Sequence, residues 1–539
     1  MLPPPGFRGV FRDDPRARAA YAEAAGIYRI LPAAACLPVD AADVTILVRW
    51  AGETGTALVP RGAGSGMGGG NVGDGVVVDL TRLPPRLTIS PETRTAVTSA
   101  NLTLGELNGA ADRHGLRLPP DPSSGRWATL GGMLSTNAAG ARSVRYGSVR
   151  RWVRAVELVT GEGETLTLRR GEPAPDSAAL ERFTTEVAPA IRAAAATIAQ
   201  RFPRTRKNSS GYALDAFLAS GEVIDLVIGA EGTLGIVAGV EWRLDPVPPH
   251  RAALRIGLRG LDDLVPIVAA LLAQDPSAVE LLDRTFLDLV RDSEPAAGMA
   301  DTEAVLLVEI ERQDPAALRA AVQAAADAVR TRAARVDTAL SPRAAERLWA
   351  VRHAASPILA SLPEERRSLQ VIEDACVPVD RMGEYVRTVR GAAAARGVPV
   401  VVFGHAGDGH VHVNLLPEVA RPGWETGVAS LLEEVSEAVL RLGGTPSGEH
   451  GDGRLRAGLL GRTYGEELLA LFRRVKRCFD PLGILAPGVI LPSGDPPIDR
   501  LKVGAGAAAL PDDIAAALRR IERTGGYGRC RMELAGARP

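Results

Sequence analysis

Six glycines in eleven residues, Pro60-Arg61-Gly62-Ala63-Gly64-Ser65-Gly66-Met67-Gly68-Gly69-Gly70, follow the apolar run Ala57-Leu58-Val59. No helix or strand sustains that density, because glycine loses more backbone freedom on ordering than any other residue. The segment is therefore a loop, either a plain flexible turn or one whose successive backbone N–H groups curl around phosphate oxygens. It is not a Rossmann fingerprint, since no helix former follows and no acidic residue sits on a second strand about 20 residues on. The Walker A lysine is missing too.

Three further segments have the same character: Pro120-Asp121-Pro122-Ser123-Ser124-Gly125; Thr129 to Gly140 with Tyr146-Gly147-Ser148; and Gly229-Ala230-Glu231-Gly232-Thr233-Leu234-Gly235-Ile236-Val237. Between them Val76 to Leu80, Ala155 to Val159 and Leu226-Val227-Ile228-Gly229 read as short strands, and Val44 to Ala51 as a helix capped by Asp43. A first helix is expected around Arg16 to Ala25. Beyond the breaker Pro246-Val-Pro-Pro, strands at Ala252 to Leu258 and Ala304 to Ile310 alternate with helices near Leu261 to Leu272 and Pro315 to Arg332, an α+β pattern. A Pro/Gly/Ala-rich tail after Pro492 carries one short amphipathic helix, Ile514 to Ile521.

At 539 residues the chain exceeds a single core, and about three to four units are expected. We place boundaries at 1–37 (helical segment), 38–246, 247–492 and 493–539. A net charge of -1 gives no global attraction to nucleic acid or anionic membrane. Three lysines stand against 60 arginines, so arginine clusters are poor markers of phosphate binding in this chain. Four scattered cysteines without a C-x-x-C pair argue against a disulfide framework or zinc ribbon, and for a reducing cytoplasm. With no signal peptide and no apolar run of about 18 residues, any membrane contact is expected to be peripheral, at the inner face.

Three of seven histidines fall in Gly404-His405-Ala406-Gly407-Asp408-Gly409-His410-Val411-His412-Val413-Asn414, and Glu449-His450 follows. β-branched runs at Val400 to Phe403 and Val411 to Leu416 flank turn residues, which predicts a hairpin. If His405 pairs with His410, His412 lies diagonally across on the same face, roughly 7–8 Å away, and one ion can bridge the two imidazoles. Glu449 would complete an open His₂Glu site, with His450 free as acid or base beside it. Histidines decorating an exposed hairpin are the plainer alternative, and the trio alone would also suit water activation in a zinc hydrolase.

The glycine loops, Lys207-Asn208-Ser209-Ser210-Gly211-Tyr212 and the Glu-Gly-Thr-Leu-Gly-Ile strand, in that order, resemble the FAD domain of the vanillyl-alcohol oxidase superfamily. Gly-His-x-Gly-Asp-Gly-x-x-His-x-Asn at 404–414, Glu-His-Gly at 449–451 and Phe479-Asp480-Pro481-x-Gly483-Ile484-Leu485-x-Pro487-Gly488 resemble the FAD-linked 2-hydroxy-acid dehydrogenases: cytochrome-type D-lactate dehydrogenase, the glycolate oxidase flavin subunit and D-2-hydroxyglutarate dehydrogenase. The resemblance implies a two-subdomain FAD-binding domain followed by an α+β substrate domain with an antiparallel sheet and a helical C-terminal segment. It implies FAD contacts from Pro60, Arg61, Gly62, Ala63, Gly64, Ser65 and Gly66; from Pro122 and Ser123; from Gly131, Gly132, Ser135, Thr136, Asn137 and Gly140; from Gly147 and Ser148; and from Glu231, Gly232, Gly235, Ile236 and Val237. Ser65 stands where flavinylated members have histidine, so the FAD is expected to be non-covalent.

By the same resemblance His405, His412 and Glu449 hold a divalent metal, taken as zinc; His450 is the base, and Arg352 in Trp349-x-x-Arg352 grips the substrate carboxylate. The implied reaction converts a 2-hydroxy acid to a 2-oxo acid, hydride passing to flavin N5 and electrons then to a protein, quinone or oxygen. Three positions depart from the family. His410 replaces the usual Asn, as a third metal contact, a substrate contact or a neutral change; no lysine precedes Asp374, where Arg366 and Arg367 are the candidate substitutes; and the tail at Thr524 to Arg531 looks like the start of an iron–sulfur domain with one cysteine, Cys530, too few for a cluster. Another FAD oxidase on this scaffold, such as a sugar-alcohol oxidase or ether-lipid synthase, a non-catalytic flavin subunit, and a non-enzymatic relic are the competing readings.

Overall fold

The computed structural model describes residues 1–293, 299, 301–528 and 530–536. Three main sheets organise them. In the first, Val10–Arg12 pairs antiparallel with Ala34–Leu37, which continues in parallel with Val76–Asp79 and then Leu58–Arg61. The three parallel strands are short, mostly apolar and almost wholly buried, as strands covered on both faces should be, whereas the antiparallel edge strand Val10–Arg12 is only partly buried. The glycine loop leaves the end of Leu58–Arg61.

The helix Ala41–Thr54 connects two of these strands, and its cap is Asp40, not the expected Asp43. Asp40 has the extended backbone that a cap requires and accepts the Asp43 N–H, while Asp43 is buried one turn in and pairs with Arg8. The helix expected around Arg16 to Ala25 is confined to Pro15–Ala20.

The second sheet is antiparallel throughout, in the order Leu87–Ser90, Thr95–Ser99, Ile236–Arg243, Val153–Val159, Thr165–Arg169. Leu226 to Gly229 is not a strand: Ile224–Val227 forms one helical turn, with the buried Asp225 tied to Arg150 and Arg170. A four-residue apolar run reads alike as buried strand or buried helix, and tertiary ion pairing decided it.

The third sheet has seven antiparallel strands: Ala333–Ala339, His250–Leu258, Ala304–Arg312, Ala278–Asp283, Val400–His405, His410–Leu415 and Ala375–Cys376. Helices Leu264–Leu272, Pro315–Val329, Met382–Ala395 and Trp424–Arg441 bury one face of it in a continuous core. The opposite face packs against Arg284–Leu289 and Pro342–Ser361, through Phe286, Val351 and Ala355 on Leu282, Leu307 and Val401. It is the face that carries the histidines.

Residues late in the chain return to its first half. Leu468, Phe472 and Phe479 of the helix Glu466–Phe479 are buried in the core of the second sheet, and Leu485 bridges to Leu58. The tail helix is longer than expected, Asp512–Thr524, and packs on Pro15–Ala20 and Pro342–Ser361. Cys530 and Met532 beyond it sit against Ala35, Val59 and Val77. Arg529 of the tail motif and the last three residues lie outside the described residues. No helix among the described residues is long and apolar enough to cross a membrane.

Candidate active site

Strand alternation builds the site. Along His410–Leu415, Val411, Val413 and Leu415 enter the core, so His410, His412 and Asn414 share the other face. His405 pairs with His410 and Phe403 with His412, the register expected from the sequence. On the neighbouring strand Leu281 pairs with Gly404, which places Glu280 beside His405. The turn closes through Gly409 at φ 73°, where a Cβ would strike the Val377 carbonyl oxygen at 2.0 Å.

Glu449 and His450 arrive on a loop that Asp374 organises. Its carboxylate accepts the Ser447 hydroxyl at 2.7 Å, the His450 N–H at 2.9 Å and His410 Nε2–H at 2.9 Å. Glu449 Oε1 then lies 3.1 Å from His405 Nε2 and 3.5 Å from His412 Nε2, and the two Nε2 atoms are 3.2 Å apart. His412 Nδ1 faces the Glu373 carbonyl at 2.8 Å, which can only accept, so that nitrogen carries the proton. His405 Nδ1 is fixed in the same way by Glu280 Oε1 at 2.5 Å. With His405 neutral, two nitrogen lone pairs and a carboxylate oxygen converge; with no metal there, burial opposes the charge of His405 but Glu280 raises its imidazole to about 9, so a proton takes that place. Ligands at ~2.0–2.1 Å around a tetrahedral ion are spaced roughly 3.3 Å apart, so the donor set fits a divalent cation such as zinc.

His450 stacks on His412, with ring centroids 5.3 Å apart, and its Nδ1 lies 2.6 Å from Glu373 Oε2. Burial works against its charge, but Glu373 and Asp374 outweigh it and raise the imidazole to about 10. Arg456 grips the other oxygen of Glu373 and fixes the pair. His410 behaves in the opposite sense: burial, then the charge of Lys207, pushes it down to about 3 and keeps it neutral. Arg352, on Pro342–Ser361, donates Nε–H to Glu280 Oε2 at 2.9 Å and lies over the Phe403 ring. Among the described residues its terminal nitrogens have no protein partner.

One cavity of about 790 Å³ joins this cluster to the glycine loops. Of the residues expected at a cofactor, the whole 60–66 loop lines it, as do Pro122, Ser123, Gly131, Gly132, Ser135, Thr136, Glu231, Gly232, Gly235 and Val237. Five others do not. Gly140 instead donates its N–H to Glu449 Oε2 at 2.8 Å, Asn137 accepts from the Arg150 N–H, and Ile236 packs beside Val159. Gly147 ends the helical turn Ser143–Tyr146, and Ser148 precedes Val149–Arg151. The cradle is backbone-lined because side chains do not fit: a Cβ on Gly62 would meet Thr129 Oγ1 at 2.2 Å, and one on Gly131 the Ala100 Cβ at 2.7 Å. His405, His412, Glu449, His450 and Arg352 line the same cavity; Arg367 reaches it, pinned by Glu522, whereas Arg366 is exposed elsewhere.

Sequence reasoning missed the partners. Glu280, Glu373, Asp374 and Lys207 position the histidines and Glu449, and Arg519, Glu522 and Tyr527 bring the tail to the cavity wall. The sequence singles out Lys207 and Asp374 only as parts of resembling motifs, without these roles, and Glu280 not at all.

The model of the FAD binding domain matches residues 32–169, and that of the C-terminal domain of FAD linked oxidases matches 247–490. The chain is 29% identical to a D-lactate dehydrogenase of Archaeoglobus fulgidus over 84% of its own length and 90% of the relative's. It is 27% identical to glycolate oxidase subunit GlcD of Bacillus subtilis, over 89% and 93%. With a D-2-hydroxyglutarate dehydrogenase of Pseudomonas putida it shares 31% identity over 90% of this chain, but spans about half (51%) of that longer protein. Among solved structures, 4-ethylphenol oxidase from Gulosibacter chungangensis shares the fold at a TM-score of 0.66 and 17% identity, over 90% of this chain and 94% of that one. With both domain models matched in series and the vanillyl-alcohol-oxidase-type fold in place, the chain belongs to the FAD-linked oxidoreductases that join an FAD binding domain to an FAD-linked oxidase C-terminal domain.

Proposed function

We propose that this protein oxidises a 2-hydroxy acid to the 2-oxo acid, with FAD held non-covalently along the glycine loops and a zinc-like ion held by His405, His412 and Glu449. The observation that carries the reading is the convergence of both Nε2 atoms with Glu449 Oε1 on the wall of the same cavity that the glycine loops line. Relatives named for D-lactate, glycolate and D-2-hydroxyglutarate support the substrate class.

The residues divide the work. Arg352, its Nε committed to Glu280, offers a planar fork to the substrate carboxylate. The ion, when bound, supplies Lewis acidity that lowers the pKa of the α-hydroxyl, and FAD, when bound, accepts the α-hydrogen with its electron pair. Glu373 holds His450 Nδ1–H, so Nε2 is the atom that takes the hydroxyl proton. Glu449 Oε1 lies 3.8 Å from His450 Nε2, and a cation held by that oxygen would offset the pull of Glu373, Asp374 and Glu449 and favour the neutral, basic ring. Electrons leave to an external protein, quinone or oxygen.

The test is anaerobic bleaching of the 450 nm flavin band by a panel of D- and L-2-hydroxy acids. Stoichiometric reduction by at least one, with formation of the 2-oxo acid, is expected; a flavin that none of them reduces would sink the reading.

A further inference from the structure

The two oxygens of Glu449 have different surroundings. Oε1 faces the histidine pair, while Oε2 accepts from Lys207 Nζ at 2.8 Å and the Gly140 N–H at 2.8 Å. Lys207 is 3% exposed. An ammonium carries three donors, and three acceptors surround this one: Glu449 Oε2, the Gly140 carbonyl at 3.2 Å and His410 Nδ1 at 3.3 Å. Because an ammonium only donates, His410 Nδ1 must present its lone pair. Its proton is therefore on Nε2, which donates to Asp374 Oδ1 at 2.9 Å.

We infer that Lys207 and His410 are positioning residues for the proposed metal site. The chain Asp374–His410–Lys207–Glu449 engages Glu449 Oε2, leaves Oε1 alone to ligate, and excludes His410 from the ion. The inference rests on the metal reading above. It assigns His410, which belongs to the same cluster of donor atoms as the trio, a role that geometry can distinguish from ligation: both its ring nitrogens are committed.

Composition points the same way. Against 60 arginines the chain has three lysines; Lys207 and Lys502 are buried, with side-chain exposures of 3% and 1%, and Lys476 is partly buried at 12%. Lys207 and Lys476 each meet three acceptors, whereas Lys502 meets two. A guanidinium has five donors in a plane, and the pocket around Lys207 offers three acceptors.

The experiment uses the FAD-loaded protein with cobalt(II) as the probe, reading its visible bands; retention of the 450 nm band and the thermal midpoint report folding. In K207M the freed Oε2 can turn to the ion and raise its coordination number, so the bands should lose intensity. H410N should keep the wild-type bands, while H405A should lose them. Wild-type bands in K207M, or an H410N spectrum like that of H405A, would overturn the inference. Failure of wild type to take up cobalt overturns the metal reading itself. Should K207M not fold, ¹⁵N-histidine spectra of wild type decide: on zinc loading the Nε2 resonances of His405 and His412 should move and those of His410 should keep the same tautomer. Displacement at a His410 nitrogen of the size seen at His405 would overturn the inference.

Discussion

His405 and His412 turn their Nε2 atoms toward each other at 3.2 Å, although each ring has already given its Nδ1 proton to an acceptor elsewhere. Two lone pairs at that distance repel unless a proton or a metal ion lies between them; Glu280, against the effect of burial, favours the proton on His405 until a metal displaces it. The expected stoichiometry is one zinc or cobalt ion per chain, lost on His405→Ala, His412→Ala or Glu449→Gln. Chelation should abolish hydroxy-acid turnover and leave the 450 nm flavin band intact. Turnover that survives complete metal removal, verified by elemental analysis, contradicts this.

His450 leans on Glu373 through Nδ1, and in the proposed reaction the pair is the base. General-base assistance is worth about 10²–10⁴ in rate. His450→Ala should therefore retain yellow, FAD-loaded protein while flavin reduction by the hydroxy acid slows by at least about 10²-fold. Glu373→Gln keeps the ring in place but weakens its orientation, so an intermediate loss is expected in stopped-flow reduction. Full-speed reduction of the alanine variant would assign the proton to another group.

Arg352 offers geometry as well as charge. Lysine at this position keeps the charge but loses the fork over Phe403 and the Nε–H to Glu280. Charge-assisted hydrogen bonds are worth about 1.5–3 kcal/mol, so Arg352→Lys should raise KM roughly tenfold to a hundredfold. An unchanged KM in steady-state kinetics would place the carboxylate elsewhere.

The parts of this site that obey a local rule were readable from the sequence, and the parts fixed by long-range partners were not. The hairpin, its register and the shared face of His405, His410 and His412 follow from period-two alternation around Ala406-Gly407-Asp408-Gly409. That residues 60–70 form a loop follows from glycine density; its place at a cofactor came only with the family resemblance. Glu280 is 125 residues from the histidine it orients and Lys207 is 242 residues from Glu449, so no spacing announces either. Asp40 and Asp43 illustrate the same limit on a small scale: both are plausible caps, and only the burial of Asp43 against Arg8 separates them.

Glu522 ties the tail to the cavity wall. Burial opposes its charge, yet Lys502, Arg367 and Arg519 hold the carboxyl down to about 2. A folded value below the unfolded one gives stability that is fully present above about pH 4.5 and lost as pH falls toward 2. Glu522→Gln should lower the unfolding free energy at pH 7 by about 1–3 kcal/mol, after allowance for its partial exposure. The gap to wild type should narrow between pH 4.5 and 3, as read from urea midpoints. A gap independent of pH would show that packing, not charge, docks the tail.

Gly62 tests the cradle. A methyl group there meets Thr129 Oγ1 at 2.2 Å, and that hydroxyl also accepts the Gly132 N–H at 3.3 Å, so neither side can yield without moving the start of Leu130–Ser135. Gly62→Ala should therefore purify with a markedly lower ratio of 450 to 280 nm absorbance and recover little of it on incubation with FAD. Gly109 supplies the control: it lies within the helix Leu104–Ala111, and nothing stands within 4 Å of the Cβ it would gain. Alanine there should leave flavin content unchanged and add about 0.5–1 kcal/mol of stability by helix propensity alone. Equal flavin content in the two variants would mean that the 62–66 backbone does not hold the cofactor.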